Sequence, residues 1–431
     1  MIMENGRLRV CEPPFPVIHP PDNVNSAVHN PQHHSTKMAT TIAATLLLPL
    51  PLAIAYSGTI IKNVAVPGLT RGMDYTHLGT SDLLVSKVCM GTMTFGKQNT
   101  LDEGVSQLNM AFDKYGINFI DTAEIYPTPP SKDTLGLTDL TIAKFLEQQG
   151  RKREDVILAT KVAGPGVTWL PRSQPDTSSR LTKEQILYSV DASLQRLGTN
   201  YIDLLQLHWP DRYTGGLFGA PDFTPTNVRE ESVAFDETLE ALQTLVTAGK
   251  VRYVGVSNET PYGVCTMVEM AKSQPTKYPR IVSIQNSYSL VVRKDYEAGL
   301  AETCYHHKVS LLPYSPLAGG SLTNKYANKD DIPVGSRYSA FPGYMARYYG
   351  SQNEAAVSEY ASIAKKCNIS PATMALSWCY HRQHVCSTII GATCLSQLEE
   401  NMLAYDIKLD DETMKEIDVV YKKYTDPTKY A

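Results

Sequence analysis

The stretch "TKEQILYSVDASLQRLGTNYIDLLQLHW", Thr182–Trp209, carries two structural periods in one run. In its first half Ile186, Leu187, Val190, Leu194 and Leu197 recur at the spacing of one helix face, and Gly198 is a natural helix stop. Its second half, from Tyr201, is a short, largely apolar run of strand length. An amphipathic helix that feeds a largely apolar strand is part of the repeating unit of a parallel sheet covered by helices.

The same unit recurs on both sides. Strand-like runs stand at "VSKVCMGT", "INFIDT", "VILATK", "VRYVGVS", "IVSIQNS", "VSLLPYS" and "STIIGA". Helix-like stretches lie between them: "LDEGVSQLNMAFDKYG", "LTDLTIAKFLEQQG", "DETLEALQTLVTAG", "YGVCTMVEMAKS", "YEAGLAETCYHHK", "EAAVSEYASIAKKCN", "SPATMALSWCYHR" and, last, "SQLEENMLAY". Eight strand–helix units predict an α/β fold, a closed (β/α)8 TIM barrel with long βα loops. The longest loop is expected from about Pro316 to Gln352. An open doubly wound sheet would carry a G-x-G-x-x-G turn after its first strand, and "CMGTMTFG" does not match it.

Composition sets the outer limits. The chain has 431 residues, a net charge of −4 and 42% hydrophobic residues, the profile of a globular protein with no basic block for nucleic acid. Its eight cysteines are scattered; no CxxC pair occurs, and Cys379, Cys386 and Cys394 lack zinc-site spacing, so no metal is expected. Residues 1–72 read differently from the rest. The first 37 are rich in Pro, Asn and His and predict disorder. Met38–Met73 contains no Asp or Glu and includes "TIAATLLLPLPLAIAY", an apolar run broken by two prolines and too short for a comfortable membrane span. An acid-free, hydroxyl-bearing leader predicts a plastid or mitochondrial targeting segment, with an untrimmed extension on a cytoplasmic chain as the alternative. The barrel domain is then expected over residues 73–431.

Active sites of such barrels lie at the C-terminal ends of the strands. The polar residues there are Asp121, Lys161, His208, Ser257 with Asn258, Gln285 and Tyr314, and the eighth strand ends at Gly391. In "NFIDTAEIYPTPP", Glu124 and Tyr126 follow Asp121 closely. Singly, each has an ordinary structural reading. Together they converge on one rim. Tyrosine is a poor acid near neutrality unless an ammonium lowers its pKa, and Lys161 can supply one, with Asp121 as counter-charge. His208 can hydrogen-bond a substrate oxygen. Such a set can protonate an oxygen while hydride reaches its carbon, and no side chain donates hydride, so a nicotinamide cofactor is implied.

The motifs "GTMTFG", "DTAEIY", "TK", "LLQLHWPD", "GKVRYVGVSN", "IQNSYSL", "YSPLAGGSLTNKY" and "IIGATCLSQLEEN" resemble, in order, those of the aldo-keto reductase superfamily from about Met73 to Tyr424. "YPTPP" and "LGLTD" are most similar to the branch of the bacterial Tas protein. The resemblance implies a catalytic tetrad of Asp121, Tyr126, Lys161 and His208, with Tyr126 as general acid. It implies NADP(H) as cofactor. Thr92 belongs to the implied cofactor set. Ser257, Asn258 and Gln285 would meet the nicotinamide carboxamide, and Tyr314 its ring. Ser315, Leu317 and Gly319 would lie beside the pyrophosphate, Lys325 and Arg337 near the phosphates, and Gly391, Thr393, Gln397, Glu400 and Asn401 at the adenosine end. Thr393 stands where many relatives carry a basic residue, which leaves Lys325 and Arg337 as the charged groups.

The implied activity is reduction of a small-molecule aldehyde or ketone, without nucleic acid or stable membrane insertion. One alternative is a cofactor-sensing subunit similar to potassium channel β-subunits, which carry asparagine where this chain has His208. A lyase using Lys161 as a Schiff-base nucleophile is a further alternative, opposed by Asp121, which should keep that lysine charged. Pocket walls are expected from residues 127–137, 169–180, 209–224 and 332–349, with Tyr213, Phe218, Phe341 and Tyr344 as aromatic candidates.

Overall fold

A computed structural model describes residues 60–174, 177–219 and 222–429. The candidate targeting run at 41–56 lies outside the described residues. Eight parallel strands form the barrel: β4 (Val88–Gly91), β5 (Phe119–Asp121), β6 (Ile157–Val162), β7 (Ile202–Leu207), β8 (Val251–Ser257), β9 (Ile281–Ser287), β10 (Ser310–Tyr314) and β11 (Thr388–Ile390). Each pairs with its neighbours in sequence, and β11 pairs with β4 through Thr388↔Val88, Ile389↔Cys89 and Ile390↔Met90. The ring closes between β10 and β11 by a single parallel bridge, Leu311↔Val385, with Cys386 N donating to Leu311 O at 3.0 Å. This is the expected (β/α)8 barrel.

The quoted stretch forms the expected pair. Its helix runs Lys183–Leu197; the Thr182 hydroxyl caps its start by accepting from Gln185 N, and Gly198 at φ 62° ends it. Ile186, Val190 and Leu194 pack with Leu205 and Leu207 on the outer face of the barrel. Leu204, on the opposite face of the same strand, lies in the barrel interior with Phe119, Ala159 and Leu312. Side chains alternate along a strand, so the residue two beyond an interior apolar one also points inward, but nearer the top. That parity carries Phe119 to Asp121, Ala159 to Lys161, and Leu204 to Gln206 and His208.

Three antiparallel strands precede the barrel: β1 (Ile61–Val66), β2 (Leu69–His77) and β3 (Leu84–Ser86). Leu78, Leu83 and Val85 from this unit pack into the interior cluster and close the lower end of the barrel. The folded chain thus reaches further toward the N-terminus than the change of composition at Met73. The helix Asp411–Lys423 packs against Ser351–Lys366 and was not part of the repeating pattern. No helix among the described residues is long and apolar enough to cross a membrane.

Candidate active site

A cavity of about 1180 Å³ opens over the C-terminal ends of the strands. Of the predicted site residues, Thr92, Asp121, Tyr126, His208, Ser257, Asn258, Gln285, Tyr314, Ser315, Leu317, Gly319, Lys325, Arg337, Gly391, Thr393, Gln397, Glu400 and Asn401 line it. Lys161 lies just beneath, with a fully buried side chain.

Lys161 organises the floor. Its Nζ donates to Asp121 Oδ2 at 2.6 Å, to Thr122 O at 2.9 Å and to the Tyr126 hydroxyl at 3.5 Å. Asp121 Oδ1 accepts from Gln285 Nε2 at 2.8 Å and from Gln206 Nε2 at 3.2 Å, so both carboxylate oxygens are bonded. Gln206 was not singled out from sequence, although it shares the inward parity of His208. The Tyr126 and His208 rings stand edge to face, 6.1 Å apart.

Burial, and then the nearby Asp121 carboxylate, hold the Tyr126 hydroxyl well above the ordinary phenol range. The expectation that Lys161 lowers it is corrected: the ammonium is closer to Asp121 than to the phenol, and burial of the ring outweighs it. Tyr126 is therefore a protonated phenol at neutral pH. Burial, and then the Lys161 charge, hold His208 well below the ordinary imidazole range, so its ring is neutral. Its Nδ1 is buried without a hydrogen-bond partner among the described residues.

Glu124 supports this floor from behind. It accepts from Ala163 N at 2.6 Å, from Arg172 at 2.9 and 3.1 Å, and from the Ser189 hydroxyl at 2.5 Å. The acid two residues before Tyr126 therefore ties the Tyr126 loop to the loop after β6 and to the helix Lys183–Leu197.

On the opposite wall, Asn258 adopts φ 53° and donates to His208 O at 2.9 Å, while its Oδ1 accepts from the Tyr314 hydroxyl at 2.7 Å. The Ser257 hydroxyl donates to Gln285 O at 2.7 Å. Four nearby residues lie in the left-handed region, Ser315, Ala318, Gly319 and Gly320. A Cβ on Gly319 would meet Met345 and Tyr348 at 3.2–3.3 Å, so glycine keeps this turn close to the loop above it.

Lys325, Arg337 and Arg347 all line the cavity, and among the described residues none forms an ion pair with a carboxylate. At the far end the helix Leu395–Asp406 starts at Cys394 without a side-chain cap, leaving its first N–H groups toward the cavity side. Gln397 accepts from Thr393 N and its hydroxyl at 2.9 and 3.1 Å, Asn401 Nδ2 donates to Gly391 O at 3.1 Å, and Glu400 accepts from Ser370 at 2.7 Å. The unpaired Lys325 and Arg337 and the open helix start suit a polyanionic, phosphate-bearing ligand, so the residues present fit a dinucleotide.

Of the loop aromatics, Phe218 and Tyr344 line the cavity with Trp209 and Met93. Tyr213 instead stacks on Phe223, and Phe341 lies under Lys97. Trp209 and Arg347 fall within the expected wall segments 209–224 and 332–349 but were not singled out; Arg347 sits in a loop with no period to mark its facing.

The sequence pattern of the Aldo/keto reductase family matches residues 87–422. The chain is 41% identical over 355 residues to Protein tas of Escherichia coli (strain K12), covering 82% of this chain and 99% of that protein. It is 39% identical over 286 residues to an aldo-keto reductase of Babesia bovis, covering 64% and 98%. A probable voltage-gated potassium channel subunit beta of Arabidopsis thaliana is 29% identical over 345 residues, covering 78% and 92%. With a barrel of this topology and a family match spanning most of its length, the chain belongs to the aldo/keto reductase family.

Proposed function

We propose that this chain is an NADPH-dependent reductase of aldehydes or ketones. The observation that carries the reading is one continuous cavity. It joins the Tyr126 hydroxyl, backed by Lys161 and Asp121, to a wall of unpaired basic groups. NADPH, when bound, supplies the hydride that reduces the carbonyl carbon. Ser315, Leu317, Gly319, Lys325, Arg337 and the start of the helix Leu395–Asp406 would hold its phosphates, with Gly391, Thr393, Gln397, Glu400 and Asn401 at the adenosine end. Tyr314, Asn258, Ser257 and Gln285 would frame its ring.

The protein groups manage the oxygen. A carbonyl oxygen seated between Tyr126 and His208 accepts hydrogen bonds from two neutral donors. As negative charge grows on that oxygen, the Tyr126 proton transfers to it. A raised phenol pKa suits this step, because the acid stays loaded at neutral pH and the developing alkoxide is the stronger base. The phenolate left behind sits 3.5 Å from the Lys161 ammonium, whose charge stabilises it until solvent returns the proton. Asp121 and Thr122 O engage the Lys161 Nζ and hold it beneath the cavity floor, which opposes its use as a Schiff-base nucleophile.

The test is NADPH oxidation by the purified chain with a panel of reactive aldehydes, with NADH in parallel. Turnover with NADPH exceeding that with NADH supports the reading. The resemblance to a probable channel subunit motivates a second reading, a cofactor-sensing subunit. Tight NADPH binding with no turnover on any aldehyde would favour it.

A further inference from the structure

Four cations line the cavity; Lys429 is paired with Asp295 at 2.6 Å, and of the three without a carboxylate partner among the described residues, two, Lys325 and Arg337, have an assigned role at the cofactor phosphates. The third does not. Arg347 sits on the short turn Ala346–Tyr348, at the end of the long loop. That turn is held in place: Tyr348 is buried, and its carbonyl accepts from Asn353 Nδ2 at 2.9 Å and from the Tyr338 hydroxyl at 3.3 Å. The guanidinium is half-buried. It donates to the Tyr348 hydroxyl at 3.2 Å, and no carboxylate lies within ion-pair distance among the described residues.

Location separates Arg347 from the other two. Lys325 stands near Arg337 and near Cys394, where the helix Leu395–Asp406 starts. The groups on which the Arg347 charge acts are Tyr314, Tyr344 and Tyr348. Tyr314 is bonded to Asn258, which is bonded to His208 O, and Tyr344 lines the cavity within electrostatic reach of Tyr126. Arg347 therefore stands at the reacting end. The wall there includes Met93, Ile125, Val167, Trp209 and Phe218, and the cation on the turn packed next to Arg347, Lys429, is already paired with Asp295 at 2.6 Å. A cation fixed on a mostly apolar wall without a counter-charge is unfavourable unless a ligand brings the anion.

We infer that Arg347 is a substrate-recognition residue, and that the carbonyl compounds this site takes carry a carboxylate or comparable anion. The apolar wall would hold the body between carbonyl and anion. A planar guanidinium offers a carboxylate two parallel N–H donors, which would also fix the carbonyl's distance from Tyr126. The inference rests on the reductase reading, and the experiment separates the two.

The full chain is assayed with NADPH and either 4-carboxybenzaldehyde or its neutral methyl ester, as wild type, Arg347→Met and Arg347→Lys. NADPH Kd is measured for each by fluorescence. The expected result is a wild-type kcat/KM preference for the carboxylated aldehyde of roughly 10-fold to 100-fold, the range carried by hydrogen bonds to a charged group. Arg347→Met should abolish the preference through KM for the acid, leaving the ester and NADPH Kd unchanged, and Arg347→Lys should recover part of it. A wild-type enzyme indifferent to the carboxylate overturns the inference, as does a preference that survives Arg347→Met. A variant whose NADPH Kd and both KM values rise together also overturns it, by assigning Arg347 to the cofactor. If Arg347→Met fails to fold, the wild-type preference and the Arg347→Lys variant decide. If neither aldehyde turns over, the reductase reading fails. Calorimetric binding of 4-(hydroxymethyl)benzoate to the NADPH-loaded wild-type and Arg347→Lys chains then decides the anion site alone.

Discussion

Replacing Glu124 by glutamine changes a single atom of a group that touches neither cavity nor substrate, and the structure assigns it a large effect. The carboxylate faces four donors: Ala163 N, two nitrogens of Arg172 and the Ser189 hydroxyl. A carboxylate accepts on both oxygens, whereas an amide must turn an NH2 group toward one pair of these donors. It also removes the charge opposite Arg172, whose side chain is 1% exposed against 4% for Glu124. Breaking a buried pair from one side costs about 3–5 kcal/mol. For a domain of this size that lowers Tm by roughly 4–6 °C. Because Glu124 tethers the segment that places Tyr126, kcat should also fall, by roughly tenfold to a hundredfold, the scale set by misplacing a catalytic group by about 1 Å. Thermal unfolding and NADPH oxidation on Glu124→Gln, Arg172→Met and the double variant form a cycle. The double variant should be less damaged than the two single losses combined, since it strands neither charge. A Glu124→Gln protein with unchanged Tm and unchanged kcat would refute the reasoning, and so would strict additivity.

Tyr126→Phe should lower kcat by about 10²–10⁴, the usual contribution of a general acid. It should leave stability within about 1 kcal/mol, because the hydroxyl makes one long bond to Lys161; a fall in activity matched by unfolding would point to structure instead. Asp121→Asn leaves the Lys161 ammonium buried with only neutral oxygens, so about 3–5 kcal/mol of stability should be lost in chemical denaturation. His384 is pushed down to about 4 by burial and then by Arg382. The unfolded chain takes up that proton first as pH falls from 6.5, so this contribution is full above 6.5 and is lost toward pH 4. It is worth no more than about 3 kcal/mol, and His384→Gln should flatten the stability–pH curve in that window. Arg212→Met cuts the 2.5 and 3.0 Å bonds to Glu259, which follows Asn258, and should lower kcat more than Tm; rescue by Arg212→Lys should be incomplete because the pairing is bidentate.

The barrel was legible because β7 and its preceding helix each keep one period without interruption, and because parity along the strands carries apolar floor residues to polar rim residues. Asp121, Lys161 and His208 could be found that way. Arg347 could not, since its facing is set by Tyr348 packing beneath it and by Asn353 from the next helix. The direction of the Tyr126 shift, though not its role as a proton donor, differs from the sequence expectation for a related reason. Lys161 is near it in sequence logic, but the balance between burial and the ammonium depends on distances of 2.6 and 3.5 Å that no spacing encodes. The opening hairpin was obscured by its composition: β1 and the start of β2 lie within the acid-free leader, and the residues that seal the barrel from below, Leu78, Leu83 and Val85, come after it.

The ring's joint between β10 and β11 is the thinnest of the eight, one bridge against five paired positions between β9 and β10. A hoop under thermal load parts at its thinnest stave. Here the two staves carry different halves of the ligand wall: β10 leads into Tyr314, Ser315 and the long loop, and β11 into Gly391 and the helix that follows. A dinucleotide lying across both would act as a clasp on the outside of that joint. Amide exchange at Leu311 and Cys386 would then report occupancy of a site that neither residue touches, and grip on the cofactor would be limited by how often the seam gapes.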